Sequence, residues 1–242
     1  MLENNERFLA AIEEYQRSIN SISGDKHLDN HKRSLLFNLI EMMANGVYGT
    51  KLNNRDRFTS FIAEFCAWPD GNRVSIQQLI LTLENKKNKK LDPLRLHCQQ
   101  VLKNWGDAQP IPFRQDSLFD EVHPLWPDDL FISGENEKKI TLKHFKHYNL
   151  LWRVRNNLVH EMRPPGTFIK LFDLKEPHYV PFGRIYVEDS AIKSIKAPWQ
   201  IFYPVTFYNM LIDNALKSMG DYLESESIDS LKNFNLGDVW IK

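Results

Sequence analysis

The sequence predicts a mainly α-helical protein, a helical bundle with a small β-hairpin or β-sheet near residues 167–203. Two observations lead to this prediction. Apolar residues recur at spacings of three and four through most of the chain, as they do on one face of a helix. Residues 167–203 instead contain aromatic and β-branched residues in short runs separated by turn signals, as in "TFIKLFD", "HYVPFGRIYV" and "WQIFYP".

Five segments in the N-terminal part of the sequence have the pattern of a helix. In "NNERFLAAIEEYQRSI", Phe8, Leu9, Ile12, Tyr15 and Ile19 have helical spacing. The next three helical segments are "NHKRSLLFNLIEMMANGVYG", "DRFTSFIAEFCAW" and "RVSIQQLILTLEN". A fifth segment, "DPLRLHCQQVLKNWG", begins with an aspartate that can cap a helix and a proline suited to its first turn. We read the lysine-rich "NKKNKK" before it as a solvated turn.

Composition bounds the class of protein. The chain has 242 residues, of which 42% are hydrophobic and 26% charged, so a sizeable core is expected and disorder is not. We predict one elaborated domain over residues 1–242. No apolar run of about 18 residues and no secretory signal pattern is present, so neither a membrane partner nor export is expected. Two cysteines without a CxxC pattern argue against a disulfide framework and favour a reducing, cytoplasmic location.

Charge is unevenly distributed although the formal net charge is zero. Residues 107–137 form an acidic, proline-containing connection with eight acids and one base, and we expect at most one short helical turn in it. Residues 138–163 form a basic run with seven bases and one acid, Glu161. A local positive patch can attract phosphate even on a neutral protein. The alternative is that the two adjacent segments neutralise each other, and the sequence leaves both open.

The basic run coincides with a predicted helix over residues 138–163, which Pro164 and Pro165 stop. At about 100° per residue, one apolar stripe faces the core. It consists of Leu150, Leu151, Val154, Leu158 and Met162. A second, shorter stripe of Tyr148, Trp152 and Val159 borders a polar arc that contains Asn156 and His160. This second stripe either packs on another element of the same chain or forms a dimer interface. A last helix is predicted over residues 204–225.

The polar residues of this helix suit phosphate chemistry. A histidine can act as general base or acid near neutral pH, and an arginine binds phosphate oxygens with its planar fork. Arg155 and His160 are therefore candidate catalytic residues, with Asn156 as a companion that orients one of them. The alternative is an exposed arginine and a histidine that only favours the helix C-terminus. Spacing alone does not exclude it, because Arg-x4-His occurs often by chance.

The stretch RNNLVH, residues 155–160, resembles the Arg-x4–6-His signature of the HEPN superfamily. The resemblance implies a helical bundle that forms a homodimer and a composite ribonuclease site shared between protomers. It also implies metal-independent RNA cleavage that leaves a 2′,3′-cyclic phosphate and a 5′-hydroxyl, without a cofactor. Arg155 and His160 match the catalytic pair and Asn156 the polar companion, while Arg153 and Arg163 would add RNA-binding charge.

Family membership would also bear on the biology of the chain. Many members are toxins or antiviral-defence effectors, so an antitoxin or sensor partner is a further expectation. In the toxin branch paired with nucleotidyltransferase antitoxins, a tyrosine stands two positions after the histidine, where this chain has Met162. Control by modification of that tyrosine is therefore not expected. The acidic connection could compete with RNA for the basic run.

The sequence also allows a metal site on two histidines and a function without catalysis. His144 and His147 lie three residues apart and could share a metal, but no third ligand has suitable spacing. We therefore expect His147 to be a partly buried histidine with satisfied hydrogen bonds, and no metal site. The rival to the ribonuclease is a non-catalytic helical adaptor that binds RNA or protein. In that case the second apolar stripe is covered within one chain.

Overall fold

The structure is a computed structural model. It describes residues 2–24, 28–84, 86–105, 110–127, 132–133, 139–161, 173–181, 184–188, 191–195 and 199–234. In this part of the chain the α-helices are α1 (Leu2–Ser21), α2 (Leu28–Tyr48), α3 (Asn54–Phe65), α4 (Ile76–Leu83), α5 (Asp92–Trp105), α6 (Phe119–Val122), α7 (His147–Glu161) and α8 (Val205–Ser225). The strands are β1 (Ile111–Pro112), β2 (His178–Pro181), β3 (Arg184–Glu188), β4 (Ala191–Ile195) and β5 (Trp199–Phe202). The predicted fold class, mainly α with a small β excursion, is confirmed.

The chain, for which the sequence predicts one elaborated domain, divides into two compact units. The first unit comprises Met1–Trp68, Arg155–Arg163 and Val205–Lys242, and the second comprises Pro69–Val154 and Pro164–Pro204. The boundary falls within α7, so the last residues of that helix belong to the first unit. None of the described helices is both long and apolar enough to cross a membrane.

The first unit is built from α1, α2, α3, α8 and the end of α7. Its core is apolar and rich in aromatic rings; the Phe37 and Tyr208 centroids, for example, are 4.7 Å apart in an edge-to-face arrangement. Helices α1 and α2 approach closely where Gly46 faces Phe8. A Cβ at Gly46 would lie 2.8 Å from the Phe8 ring, so a larger residue here would force that buried ring to shift. The predicted helix over residues 204–225 is confirmed as α8.

The second unit holds α4, α5, α6, the start of α7 and the strands. Its buried cluster includes Leu79, Leu83, Leu94, Trp126 and Phe145. Strands β1, β2 and β5 form an antiparallel sheet in that order, and β3 pairs with β4 in a two-stranded sheet. Four of the five strands fall within the predicted β excursion. The fifth, β1, comes from the acidic connection and was not predicted.

The acidic connection is more structured than the sequence indicates. Besides β1 it contains the 3₁₀ turns Phe113–Gln115 and His123–Leu125 as well as α6. Short apolar anchors explain this order, since Phe113 and Val122 are buried. Residues 107–109, 128–131 and 134–137 of the connection lie outside the described residues.

The motif helix starts later than predicted. The prediction places helix from residue 138, whereas Leu142–Phe145 is a 3₁₀ turn and α7 begins at His147. The physical reason is a backbone pairing that a continuous helix would break. Ser75 N–H donates to Phe145 O at 2.9 Å, and His147 N–H donates to Arg73 O at 3.1 Å. Lys146 between them is extended, with ψ of 143°. The predicted stop at Pro164 and Pro165 lies outside the described residues.

Candidate functional site

Arg155 lies in the first unit and pairs with a carboxylate that the sequence did not point to. Its Nε and Nη2 donate to Oε2 of Glu41 on α2, at 2.8 and 2.5 Å. The two side chains are only 15% and 19% exposed. A partly buried, charge-assisted pair restricts the guanidinium to one orientation far more than a surface pair would.

Helix α2, which carries Glu41, also meets α7 through a hydrogen bond. Ser34, seven residues before Glu41 and so nearly two full turns away, donates from Oγ to Leu158 O at 3.4 Å. Leu158 is fully buried. The predicted core stripe is confirmed for Leu150, Leu151, Val154 and Leu158, which are all buried, while Met162 lies outside the described residues. The ion pair with Glu41 and the hydrogen bond from Ser34 to Leu158 therefore join the end of α7 to α2.

Asn156 is joined directly to Arg155. Its Oδ1 accepts a hydrogen bond from Arg155 Nη1 at 3.1 Å, and the residue is half-buried. Glu41 and Asn156 thus hold different nitrogens of the same guanidinium. The guanidinium is thereby held in one orientation with its charge balanced by Glu41, and a phosphate would have to bind through the N–H donors that these two partners leave unused.

His160 is exposed in the last turn of α7. It lies four residues after Asn156, on the same side of the helix, whereas its direction differs from that of Arg155 by about 140°. Within the described residues, no hydrogen bond joins His160 to Arg155 or Asn156. The structure therefore brings Arg155 and Asn156 together and leaves His160 as a separate, accessible imidazole.

The other predicted site residues differ in their surroundings. Tyr148, Trp152 and Val159, the predicted dimer interface, are each half-buried in the single chain. Arg153, predicted to bind RNA, is exposed on α7, and Arg163 lies outside the described residues.

Glu41 is the residue that sequence reasoning missed. It lies 114 residues from Arg155 in the chain, and no local motif connects them. One signal was available: the segment "LFNLIEMMANGV" is otherwise uncharged, and Ile40 and Met43 on either side of Glu41 are buried. A carboxylate in such a segment needs a partner, because a buried charge is costly unless it is paired.

His147 belongs to a different, fully buried network in the second unit. Its Nε2 lies 2.8 Å from Asp116 Oδ2 and, because a carboxylate only accepts, Nε2 is the donor. Its Nδ1 lies 3.1 Å from the Tyr203 hydroxyl. The same Asp116 oxygen accepts from Tyr179 Oη at 2.5 Å, and Tyr179 Oη lies 2.7 Å from Ser75 Oγ. The prediction that the hydrogen bonds of His147 are satisfied is confirmed, and the side chain is fully buried where partial burial was predicted.

The other residues considered from the sequence are His144 and the two cysteines. His144 Nδ1 lies 3.1 Å from Thr141 Oγ1 in the turn before α7. Cys66 and Cys98 are free and buried, and burial raises the pKa of both thiols, that of Cys98 to about 12. In the described part of the chain, no group of three or more His, Cys, Asp or Glu side chains is arranged to hold a metal ion.

Comparison with known proteins finds no relative of this chain. No protein-family model matches the chain, and neither a curated protein nor a solved structure matches it. The site is therefore interpreted from its own geometry and from the resemblance of its motif.

Proposed function

We propose that the protein is a metal-independent endoribonuclease that cleaves RNA by attack of the 2′-hydroxyl on the neighbouring phosphate. One observation carries the proposal: a half-buried arginine, held by Glu41 and Asn156, precedes an exposed histidine at the end of the same helix. This pair would supply a guanidinium of fixed orientation to hold the phosphate and an accessible imidazole for proton transfer.

The chemistry assigns a role to each side chain. As general base, His160 takes the proton of the 2′-hydroxyl while the 2′-oxygen bonds to phosphorus. A general acid gives a proton to the departing 5′-oxygen as its bond to phosphorus breaks. Arg155 binds the non-bridging oxygens, where negative charge increases in the transition state. The products are a 2′,3′-cyclic phosphate and a 5′-hydroxyl.

A homodimer would supply both the base and the acid. One reaction needs two proton-transfer groups, and the motif offers one histidine per chain. Two-fold symmetry along Tyr148, Trp152 and Val159 would bring two copies of Arg155 and His160 together. Light scattering should then give twice the chain mass, and Trp152→Ala should lower both the mass and the activity. A strict monomer that cleaves RNA at full rate would contradict the composite site.

Cleavage in the presence of EDTA is the direct test of the proposal. An end-labelled RNA should be cut to products with 2′,3′-cyclic phosphate ends. His160→Ala should lower the rate by about a hundredfold or more, the usual contribution of general acid–base catalysis. Arg155→Ala should cause a loss of similar size. The matched control is Arg17→Ala, because Arg17 is exposed on α1 and bonds only to the backbone within its helix.

The variants also define what would refute the ribonuclease. Circular dichroism should establish that each variant folds before its rate is compared. No cleavage by the unchanged protein over a range of RNA sequences would contradict the proposal. So would cleavage that survives His160→Ala and Arg155→Ala at the rate of Arg17→Ala.

The ion pair of Arg155 and Glu41 favours a second candidate function, a non-catalytic adaptor that binds RNA or protein. In this case the pair is structural, since the Arg155 side chain is only 15% exposed. The adaptor predicts that His160→Ala leaves binding of RNA or a partner protein intact. The resemblance to HEPN proteins adds the proposals of a toxin or antiviral-defence role, a cytoplasmic location and an antitoxin or sensor partner.

A further inference from the structure

Two basic segments that are far apart in the sequence meet in the second unit. Lys86 Nζ donates to the backbone oxygen of Ser133 at 3.3 Å. The neighbouring Ile132 exchanges two backbone hydrogen bonds with Ile140, of 2.9 and 2.8 Å. The lysine-rich turn of residues 86–90 therefore lies beside the start of the basic run.

The turn has a defined shape with its lysines directed outward. Lys87, Lys89 and Lys90 are exposed. Asn88 caps a short 3₁₀ turn by accepting from Lys90 N–H at 3.0 Å. Leu91, the next residue, is buried in the core of the unit. The three ammonium groups are thus carried on an ordered backbone, which reduces the entropy lost when they bind a ligand.

A groove begins at the last lysine of this turn. It has a volume of about 640 Å³, and Lys90 lies at its edge. Its other lining residues are Pro93, His123, Pro124, Leu125, Trp126 and Pro127. The His123 side chain is exposed and its ring lies 5.2 Å from that of Phe119, tilted by 37°. The groove therefore combines a lysine, several apolar side chains and the accessible ring of His123.

Two of the four carboxylates described nearby are engaged with other groups. Asp92 pairs with Arg95 at 2.5 Å, and Glu121 accepts from the backbone N–H of Leu118 at 2.9 Å. Asp120 and Glu84, at the end of α4, are exposed. Over residues 84–95 five basic side chains stand against two acidic ones, so the surface stays positive. Asp128, Asp129, Glu135 and Glu137 lie outside the described residues.

We infer that the turn of residues 86–90 and the groove at His123 form a binding surface for single-stranded RNA, separate from the motif on α7. The lysines would contact successive phosphates, and an unpaired base would stack on His123 inside the groove. A base within a duplex cannot enter such a groove, which is why a single strand fits better. The choice of RNA as the polyanion rests on the proposed function.

The test measures binding by fluorescence anisotropy with a labelled single-stranded RNA, using the full chain carrying His160→Ala so that the RNA stays intact. Two triple-alanine variants with the same change in charge are compared. The turn variant replaces Lys87, Lys89 and Lys90. The control variant replaces three exposed lysines elsewhere, Lys51, Lys103 and Lys217.

The turn variant should bind at least about tenfold more weakly near physiological salt, because it loses phosphate contacts. Each contact to a single strand contributes about 0.7 to the slope of log affinity against log salt, so the slope should fall by about 2. The control variant should bind like its parent. His123→Ala should weaken binding about fivefold or more while leaving the salt slope unchanged, as expected for lost stacking.

Three results would overturn the inference. Equal losses in the two triple variants would mean that overall charge, not this surface, attracts the RNA. No loss in the turn variant would remove the surface from binding altogether. Double-stranded RNA that binds as tightly, with the same dependence on the turn, would contradict a single-strand site.

The inference and the ribonuclease can fail independently. Binding that depends on the turn, in a protein that never cleaves RNA, would support the surface and contradict the proposed function. Cleavage that depends on Arg155 and His160, with binding indifferent to the turn, would do the reverse.

Discussion

Replacement of Asp116 by alanine should strongly destabilise the second unit. This carboxylate is buried and accepts three hydrogen bonds, from Ile76 N–H at 2.9 Å, from Tyr179 Oη at 2.5 Å and from His147 Nε2 at 2.8 Å. Alanine at this position can accept none of them. Three buried donors would then lose their acceptor in a site whose His147 and Asp116 side chains are 0% exposed to solvent.

The expected cost follows from these contacts. Each orphaned buried donor costs about 1–3 kcal/mol, and removing one member of a buried charged pair typically costs about 3–5 kcal/mol in all. The terms overlap, so we expect a loss of about 4 kcal/mol in the free energy of unfolding. At about 2–4 °C per kcal/mol for a chain of this size, the melting temperature should fall by about 8–16 °C.

Urea denaturation and scanning calorimetry measure this loss, with Asp92→Ala as the matched control. Asp92 is also paired, with Arg95, but its side chain is 63% exposed, and such pairs contribute at most about 1 kcal/mol. A cycle with His147→Ala should show coupling between Asp116 and His147 of about 1 kcal/mol or more. Equal losses for Asp116→Ala and Asp92→Ala would refute the reasoning.

Three further predictions concern Glu41, the thiols and His178. Glu41→Gln should lower kcat of RNA cleavage by about tenfold or more with a smaller change in KM, because a weakened charge-assisted bond no longer fixes Arg155; an equal loss in Glu13→Gln, an exposed acid of α1, would contradict this positioning role. Cys66 and Cys98 should react with a thiol reagent only as the protein unfolds, since they are buried and their pKa values are raised; rapid labelling of the native protein would contradict it. Burial lowers the pKa of His178, so the unfolded chain takes up its proton more readily, and this contribution to stability is complete above the unfolded pKa of about 6.5 and declines as the pH falls below it. His178→Gln should therefore lose less stability between about pH 7 and pH 5 than the unchanged protein does, and an identical pH dependence would contradict the assignment.

The sequence predicts best what depends on neighbouring residues. The periodic segments became helices, and α8 begins within one residue of its predicted start, because burial of an apolar stripe is a local pattern. The start of α7 was missed because the backbone of Lys146 pairs with Val74, 72 residues earlier in the chain. Strand β1 was missed for the same reason, since Ile111 pairs with Tyr179 only once the chain has folded.

The candidate site follows the same rule. The motif residues on α7 were found from one helical stretch, and the structure joins the first two of them, Arg155 and Asn156. Glu41 could not be found in this way, because its contact with Arg155 joins two helices 114 residues apart in the chain and belongs to no local motif. The hydrogen bonds of Asp116 could not be predicted either, because its partners Ile76, His147 and Tyr179 come from separate stretches of the chain.

The contact of Arg155 with Glu41 changes how related sequences should be sought. Six residues of the form Arg-x4-His match too many unrelated chains to be informative. A search that also requires an acid within an apolar helix near the N-terminal end would select for a shared three-dimensional arrangement. Among true relatives, positions 41 and 155 should vary together, and chains that keep the arginine but lose the acid would be chance matches.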